Sequence, residues 1–445
     1  MRRAPDARAI RTLGAAVFTT ALTCTGLMCS GLMCSGAALA TEGYFQNGYG
    51  ARQKALAGAG VADGKDATAA SLNPAGIVRA ENELDVSASI FNPNREFTGS
   101  GGPGFTPDGR IESDKKFFLV PNVARNWKIQ DNAMFDALTL TMYGNGGMNT
   151  SYGEARGGSG SPCAGMPAGI YCGGPAGVDL QQILLSAAVA KKFGNVSVGV
   201  APILAVQIFE AKGLGAFAGA SSDPANLTNR GKDVAVGFGM RAGVEVALAP
   251  NVRFGLAGNT PIWSQSFDKY RGLFAEGGGF DIPASVQTGI AVDLNPAVTV
   301  MLDYKHIWYS GVASIANPST DLLLGHQLGA ANGPGFGWKD VDVIKMGIEW
   351  RTSQKLTLRA GYAYNTQPVQ SADVMLNLLA PGVTQHHLTG GMSYKMTSKV
   401  DLELAGMYAP RTHVKGTELG NPAHQIDASM SQFEVTMGVK YRFGQ

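Results

Sequence analysis

Asp303, His306 and Ser310 follow one another on a short segment of this 445-residue chain, and an acid, a base and a hydroxyl would suit nucleophilic hydrolysis. Residues 297–309 read as a strand, however, and the odd spacing of Asp303 and His306 places them on opposite faces. No Gly-x-Ser-x-Gly elbow supports a nucleophile elsewhere. His386 and His387 are adjacent, so a regular strand aims them apart and they cannot share one metal ion. Cys163 and Cys172 stand close together in a Gly/Pro-rich stretch with no histidine nearby to complete a zinc set. In an oxidising compartment they are expected to pair as one loop disulfide. The expectation is no catalytic residue, no metal, no cofactor and no enzyme.

The elements that carry these residues are strands. In the last segment Phe433, Val435, Met437, Val439, Tyr441 and Phe443 alternate with Glu434, Thr436, Lys440 and Arg442. A period of two sends the apolar set to one face and the polar set to the other, as a strand between lipid and a wet interior requires. Leu356–Tyr364 and Val400–Leu404 repeat the pattern. Such runs number about fourteen, at 83–97, 116–128, 137–149, 180–193, 196–212, 232–248, 252–267, 282–293, 297–309, 340–352, 355–365, 386–397, 400–412 and 430–443. Their connections alternate short and long without exception. The short ones include Phe193-Gly194-Asn195, Ala249-Pro250-Asn251 and Asn295-Pro296.

That rhythm predicts an all-β, antiparallel transmembrane barrel with periplasmic turns and long outer loops, in the outer membrane of a Gram-negative cell. In lipid an open sheet edge would leave a row of unpaired amides, so the sheet must close. Composition agrees: charged residues make up 16 %, below the roughly 25 % of ordinary soluble domains, and there are 60 glycines.

Residues 1–40 read as a signal peptide, with Arg2, Arg3, Arg8 and Arg11 ahead of an uncharged stretch and Ala38-Leu39-Ala40 at its end. An uncleaved anchor helix is the other reading of its length. Without the leader, the 36 basic and 34 acidic residues fall to 32 and 33, net −1, which removes any case for nucleic acid.

Residues 41–82 do not alternate. Asn73 is a good N-cap with Pro74 at the first helical position, and Gly and Ala dominate the segment. It is too small-residued to form its own core, so it is either a plug folded against the wall of the barrel, residues 83–445, or a flexible tail. Fourteen strands enclose a lumen that must be a channel or be filled.

Gly43-Tyr44-Phe45, Gly48-Tyr49-Gly50, Ala57-Gly58-Ala59-Gly60 and Asn73-Pro74-Ala75-Gly76 together resemble the N-terminal hatch of the FadL/TodX outer-membrane transporters. Gly335-Phe336-Gly337-Trp338-Lys339-Asp340 is similar to that family's Gly-Phe-Lys-Asp motif, and the likeness runs through the whole chain after the leader. The resemblance implies a monomeric 14-stranded barrel plugged by the hatch. It implies uptake of long-chain fatty acids or hydrocarbons by outer-loop capture, an internal pocket and a hatch shift. It also implies a lateral opening at a kink in the third strand.

The kink would fall on Gly144, Asn145, Gly146 and Gly147, which also suit a bulge or an ordinary Gly-rich loop entrance. Asn73, Pro74, Ala75 and Gly76 become the gate. Candidate ligand contacts are the apolar outer-loop residues Leu214, Phe217, Leu322, Leu324, Leu328, Met375 and Leu379, which could equally pack together as a lid. Lys339 is the basic candidate for a carboxylate. Fatty-acid members carry basic residues on the strand matching Val196–Ala211, and this chain has none there, which favours a neutral hydrophobic ligand. The rival function is a general or substrate-selective porin for small polar solutes.

Overall fold

The computed structural model describes residues 42–129, 134–155, 163 and 165–444. The expected signal peptide lies outside the described residues. Fourteen long strands form the wall: β1 Glu83–Ser100, β2 Phe118–Lys128, β3 Ala137–Asn149, β4 Gly177–Phe193, β5 Val196–Lys212, β6 Asp233–Ala249 and β7 Val252–Asn259, followed by β8 Ser285–Asn295, β9 Val298–Ile307, β10 Val341–Arg351, β11 Leu356–Asn365, β12 His386–Lys395, β13 Val400–Glu418 and β14 Asn421–Arg442. Each pairs antiparallel with its sequence neighbours, and β14 returns to β1 from Glu83↔Arg442 to Ser100↔Gln425, closing the barrel. Two short strands, Gly109–Glu112 and Trp263–Ser264, are appended to β1 and β6.

The alternation in sequence is the alternation in space. On β1 and β14, Val86, Ile90, Phe433, Val435, Met437 and Val439 face outward and are exposed, while Asp85, Ser87, Ser89, Glu434, Thr436 and Lys440 are buried inside. The apolar band is the face that lipid covers.

Two boundaries differ from the sequence reading. β13 and β14 continue as a ribbon joined only by Leu419 and Gly420, so the loop expected over 413–429 is strand. Its outward residues Arg411, His413 and Lys415 are polar, because this part of the ribbon stands beyond the apolar band and lacks the lipid-facing signature. β7 ends at Asn259 and not near 267, since Pro261 has no amide to donate to a ladder.

Residues 42–82 fill the lumen with a short helix at Gly50–Ala55 and 3₁₀ turns at Ala67–Ser71 and Pro74–Val78. Asp66 Oδ1 caps the first turn through Thr68 N at 3.1 Å, and Asn73 Oδ1 caps the second through Ala75 N at 3.0 Å. Nearly every residue of the hatch is buried. The wall glycines explain the fit: a Cβ on Gly199 would strike Pro74, and one on Gly243 would strike the Asn73 side chain.

Candidate functional site

Buried charge ties the hatch to the wall. Glu42, fully buried, lies 2.7 Å from Lys305 Nζ and 2.6 Å from Lys345 Nζ. Burial alone would raise its pKa, but the two ammonium groups outweigh that and hold the carboxyl below the ordinary range. Arg52 reaches Asp63 at 2.5 Å and Glu349 at 2.9 Å; Arg253 reaches Asp63 at 3.0 Å and Asp293 at 2.5 Å. Lys54 is bonded to Glu434. Asp66, also desolvated, is nevertheless held below the usual carboxylate range by Lys440 and Arg52. Asp303, the acid of the candidate hydrolytic set, instead accepts the Gly60 and Val61 amides at 2.8 and 2.9 Å.

The predicted gate residues are part of this lock. Asn73, Pro74, Ala75 and Gly76 are all buried, and Asn73 Nδ2 donates to Val61 O at 2.8 Å and to Val244 O at 3.0 Å.

The wall is not uniform. β2 and β3 are paired only from Lys128↔Ala137 to Asn122↔Tyr143. Beyond that rung β2 stays with β1 as far as Phe91↔Phe118, whereas β3 stays with β4 as far as Asn149↔Asp179. The two strands therefore part, with a register shift in β3 between Gly144 and Gly146. Gly144, Asn145, Gly146 and Gly147 all lie on the edge so released. The hatch occupies that edge: Gln46 N donates to Asn145 O at 3.1 Å, Gly147 N to Tyr44 O at 3.3 Å, and Phe45 bridges Gly146. A side chain at Gly146 would collide with the Tyr44 carbonyl.

Two clefts flank the parting. The larger, about 290 Å³ of atom-free space that includes its opening to solvent and has room for only about one ordered water, lies between Tyr44, Phe91, Arg95, Met148, Trp338 and Met430. The smaller, about 180 Å³, lies between Tyr49, Lys54, Val120, Asn122 and Tyr143. Trp338 organises the larger one. Its ring is 5.2 Å from Tyr309 and 6.1 Å from Tyr44, and its Nε1 donates to Asn377 Oδ1 at 2.5 Å.

The outer loops close over this cleft. Tyr171 Oη donates to Met375 O at 2.6 Å, Tyr152 Oη to Leu378 O at 3.0 Å, and Thr150 Oγ1 to Leu379 O at 2.8 Å. Met375, Leu379 and Leu214 are buried in the same apolar cluster as Tyr44 and Trp338, and Phe217 packs on it beside Phe105 and Tyr171. Leu328 is buried apart, bridged to Ser221. Leu322 is half-buried and Leu324 exposed, so both lie on the rim. Cys163 and Cys172 are joined to each other in the loop that carries Tyr171.

Lys339 is exposed and does not line the cleft; the buried member of its motif is Trp338, one position earlier. Arg95, which does line it, was missed by the sequence reading. Its place on the inner face of β1 was in the alternation, but its neighbours there come from the hatch, β3, β14 and two outer loops. His306 Nδ1 lies 2.7 Å from Asp342, and Ser310 Oγ donates to Asp340 Oδ2 at 3.0 Å, so the serine is bonded to a carboxylate and not to the histidine. Among the described residues, no group of three or more His, Cys, Asp or Glu could hold a metal ion.

Residues 29–443 match a family model described as outer membrane protein transport protein (OMPP1/FadL/TodX). Solved structures share the fold. The Pseudomonas putida toluene transporter TodX aligns with a TM-score of 0.63 at 17 % identity, covering 90 % of this chain and 100 % of that one. A Pseudomonas aeruginosa FadL homologue gives 0.64 at 15 %, with 90 % and 100 % covered. The Ralstonia pickettii toluene transporter TbuX gives 0.60 at 17 %, with 90 % and 99 % covered. No curated protein sequence matches the chain significantly. The chain belongs to the OMPP1/FadL/TodX family of outer membrane transport proteins, a family of channels and not of enzymes.

Proposed function

We propose that this family member carries hydrophobic compounds, long-chain fatty acids or hydrocarbons, inward across the outer membrane by a path that leaves through the wall. One observation carries the reading. The β2–β3 ladder stops at Asn122↔Tyr143, and the edge left free is occupied by hatch residues 44–46 and flanked by clefts. A free edge inside lipid needs a partner, and here the partner is a short segment joined to it by an isolated backbone bridge rather than by a continuous ladder.

In this scheme the rim residues Leu322 and Leu324 meet the ligand first, and the lid formed by Met375, Leu379, Leu214 and Phe217 admits it. It then rests against Trp338 and Tyr44. Displacement of the Glu42–Gln46 stretch frees the gap between β2 and β3 and lets an apolar molecule pass sideways into lipid. Asn73–Gly76 anchors the far end of the hatch, so that the movable part is the part nearest the gap. In this scheme the barrel works as a monomer, and one chain closes the sheet without a strand from a partner. A lumen filled by the hatch also argues against a water-filled porin.

The test is uptake of radiolabelled dodecane, toluene and laurate by cells that lack their own transporters of this family. Expression should accelerate entry of at least one. Cross-linking the hatch to the β3 edge, with cysteines at Gln46 and Asn145 joined by a reducible bis-methanethiosulfonate, should abolish the gain until the link is reduced. Equal uptake with the gap locked would remove the lateral path. Steady ion conductance without hydrophobic uptake would favour the porin.

A further inference from the structure

We infer that Gln182 and Gln207 are positioning residues for the gap, which with Asn145 form a one-way hydrogen-bond relay from the hatch to the outer loop between β7 and β8. This rests on the transport reading above and adds a route by which that loop governs the parted edge. Asn145 is the extra residue of the β3 bulge: Gly144 pairs with Ile183 and Gly146 with Gln182, so no residue of β4 stands opposite Asn145. Its side chain is tied from both ends instead. Tyr49 Oη, in the hatch, donates to Asn145 Oδ1 at 2.8 Å, and Asn145 Nδ2 donates to Gln182 Oε1 at 3.0 Å. Gln182 and Gln207 stand opposite each other on β4 and β5, and Gln182 Nε2 donates to Gln207 Oε1 at 2.8 Å. Gln207 Nε2 donates in turn to Phe280 O at 2.9 Å and to Ser264 Oγ at 2.8 Å, both in the loop over 260–284. All three amide side chains are buried.

The direction of the relay is set by chemistry. A backbone carbonyl only accepts, so Gln207 offers its Nε2 to Phe280 and its Oε1 to Gln182. That fixes Gln182 the same way round, and then Asn145, whose Oδ1 is left for the Tyr49 hydroxyl. Turning any one amide would set two donors or two acceptors face to face, and a break at one member strands its buried neighbours.

The far end lies in the apolar cluster beneath the outer loops, which the proposed path crosses. The Phe280 ring is 4.7 Å from Phe274 and 6.3 Å from Tyr44. An apolar molecule seated there displaces Phe280 and draws its carbonyl off Gln207. Gln207 then turns to another acceptor, its Oε1 leaves Gln182, and the loss passes to Asn145 and Tyr49. The edge is thereby loosened from the wall side, apart from any contact of the ligand with the hatch.

The relay is tested by the rate at which a water-soluble maleimide labels a cysteine at Asn47, in full-length barrels whose folding is confirmed by heat-modifiable migration. Gln182→Met should speed labelling about 5- to 100-fold, the effect of one buried partner left unsatisfied. Gln207 is bonded to neither Asn145 nor the hatch, yet Gln207→Met should move the rate in the same direction. The two together should label no faster than Gln182→Met alone, because the chain is already cut. Thr141→Val, which removes the buried hydroxyl pair with Ser186 between β3 and β4, should leave the rate unchanged. Should Gln207→Met fail to assemble, Gln207→Asn is too short to span both neighbours and reads the same coupling. A parental rate in either glutamine variant, effects that multiply in the pair, or an equal rise in Thr141→Val overturns the relay and leaves the transport reading standing. A parent that takes up none of dodecane, toluene and laurate sinks both.

Discussion

Replacing Glu42 by Gln should unlock the end of the hatch that lies nearest the gap. The carboxylate is completely buried between Lys305 and Lys345, and Gln keeps its shape while removing its charge. Two buried ammonium groups are then left without their carboxylate, and breaking a buried pair from one side costs about 3–5 kcal/mol. If that cost falls on the closed arrangement, the displaced population rises by about 10²- to 10³-fold or somewhat more.

The assay is the labelling rate of a cysteine at Asn47 with a water-soluble maleimide, read against a background without that cysteine. Asn47 is buried and its side chain makes no hydrogen bond, so the reporter disturbs little. Heat-modifiable migration on a gel confirms that each barrel is folded. A triple replacement, Glu42→Leu with Lys305→Met and Lys345→Met, should return labelling toward the parent rate, because it removes the stranded charges along with their partner. Labelling of Glu42→Gln at the parent rate would refute the claim that these ion pairs hold the hatch.

Gly146→Val should push the Tyr44 carbonyl off the β3 edge and raise conductance in planar bilayers without loss of barrel assembly; an unchanged current would show that hatch and edge are not in contact. Trp338→Ala removes a ring that packs on Tyr44 and Tyr309, and should cost about 3–5 kcal/mol, lowering the melting temperature and weakening apolar ligand binding. The lock should also depend on acid. Glu42 and Asp66 have folded pKa values below their unfolded ones, so their contribution is complete above the unfolded range. It fades as pH falls through the lower folded values. Maleimide labelling at Asn47 is not usable that far down, but bilayer conductance is, and should stay low from neutrality through mildly acidic pH and rise only below the ordinary carboxylate range.

Much of the wall was legible because two solvents write opposite demands onto alternate residues. Val435 faces lipid while Glu434 and Thr436 face a polar interior, and no other arrangement explains that order over many segments. Where the outward face leaves the lipid the signal vanishes, which is why residues 413–418 read as loop although they are strand. The Asn73 cap was visible because it is local: its partner is two residues away.

The cleft was not visible for the opposite reason. Tyr44 and Tyr309 are 265 positions apart, and only closure of the barrel brings them together. Lys339 was chosen for its charge within a motif, yet in that extended stretch adjacent side chains point apart. Trp338 therefore received the interior and Lys339 the surface. Arg95 carried no motif at all.

The most direct test of the central claim is the entry rate of a radiolabelled hydrophobic ligand into cells expressing the protein with Gln46→Cys and Asn145→Cys joined by the reducible cross-linker, measured before and after reduction. Slow entry that becomes fast on reduction, with little ion conductance in either state, is the predicted result. Entry indifferent to the cross-link would contradict a path gated by the hatch at the β2–β3 parting.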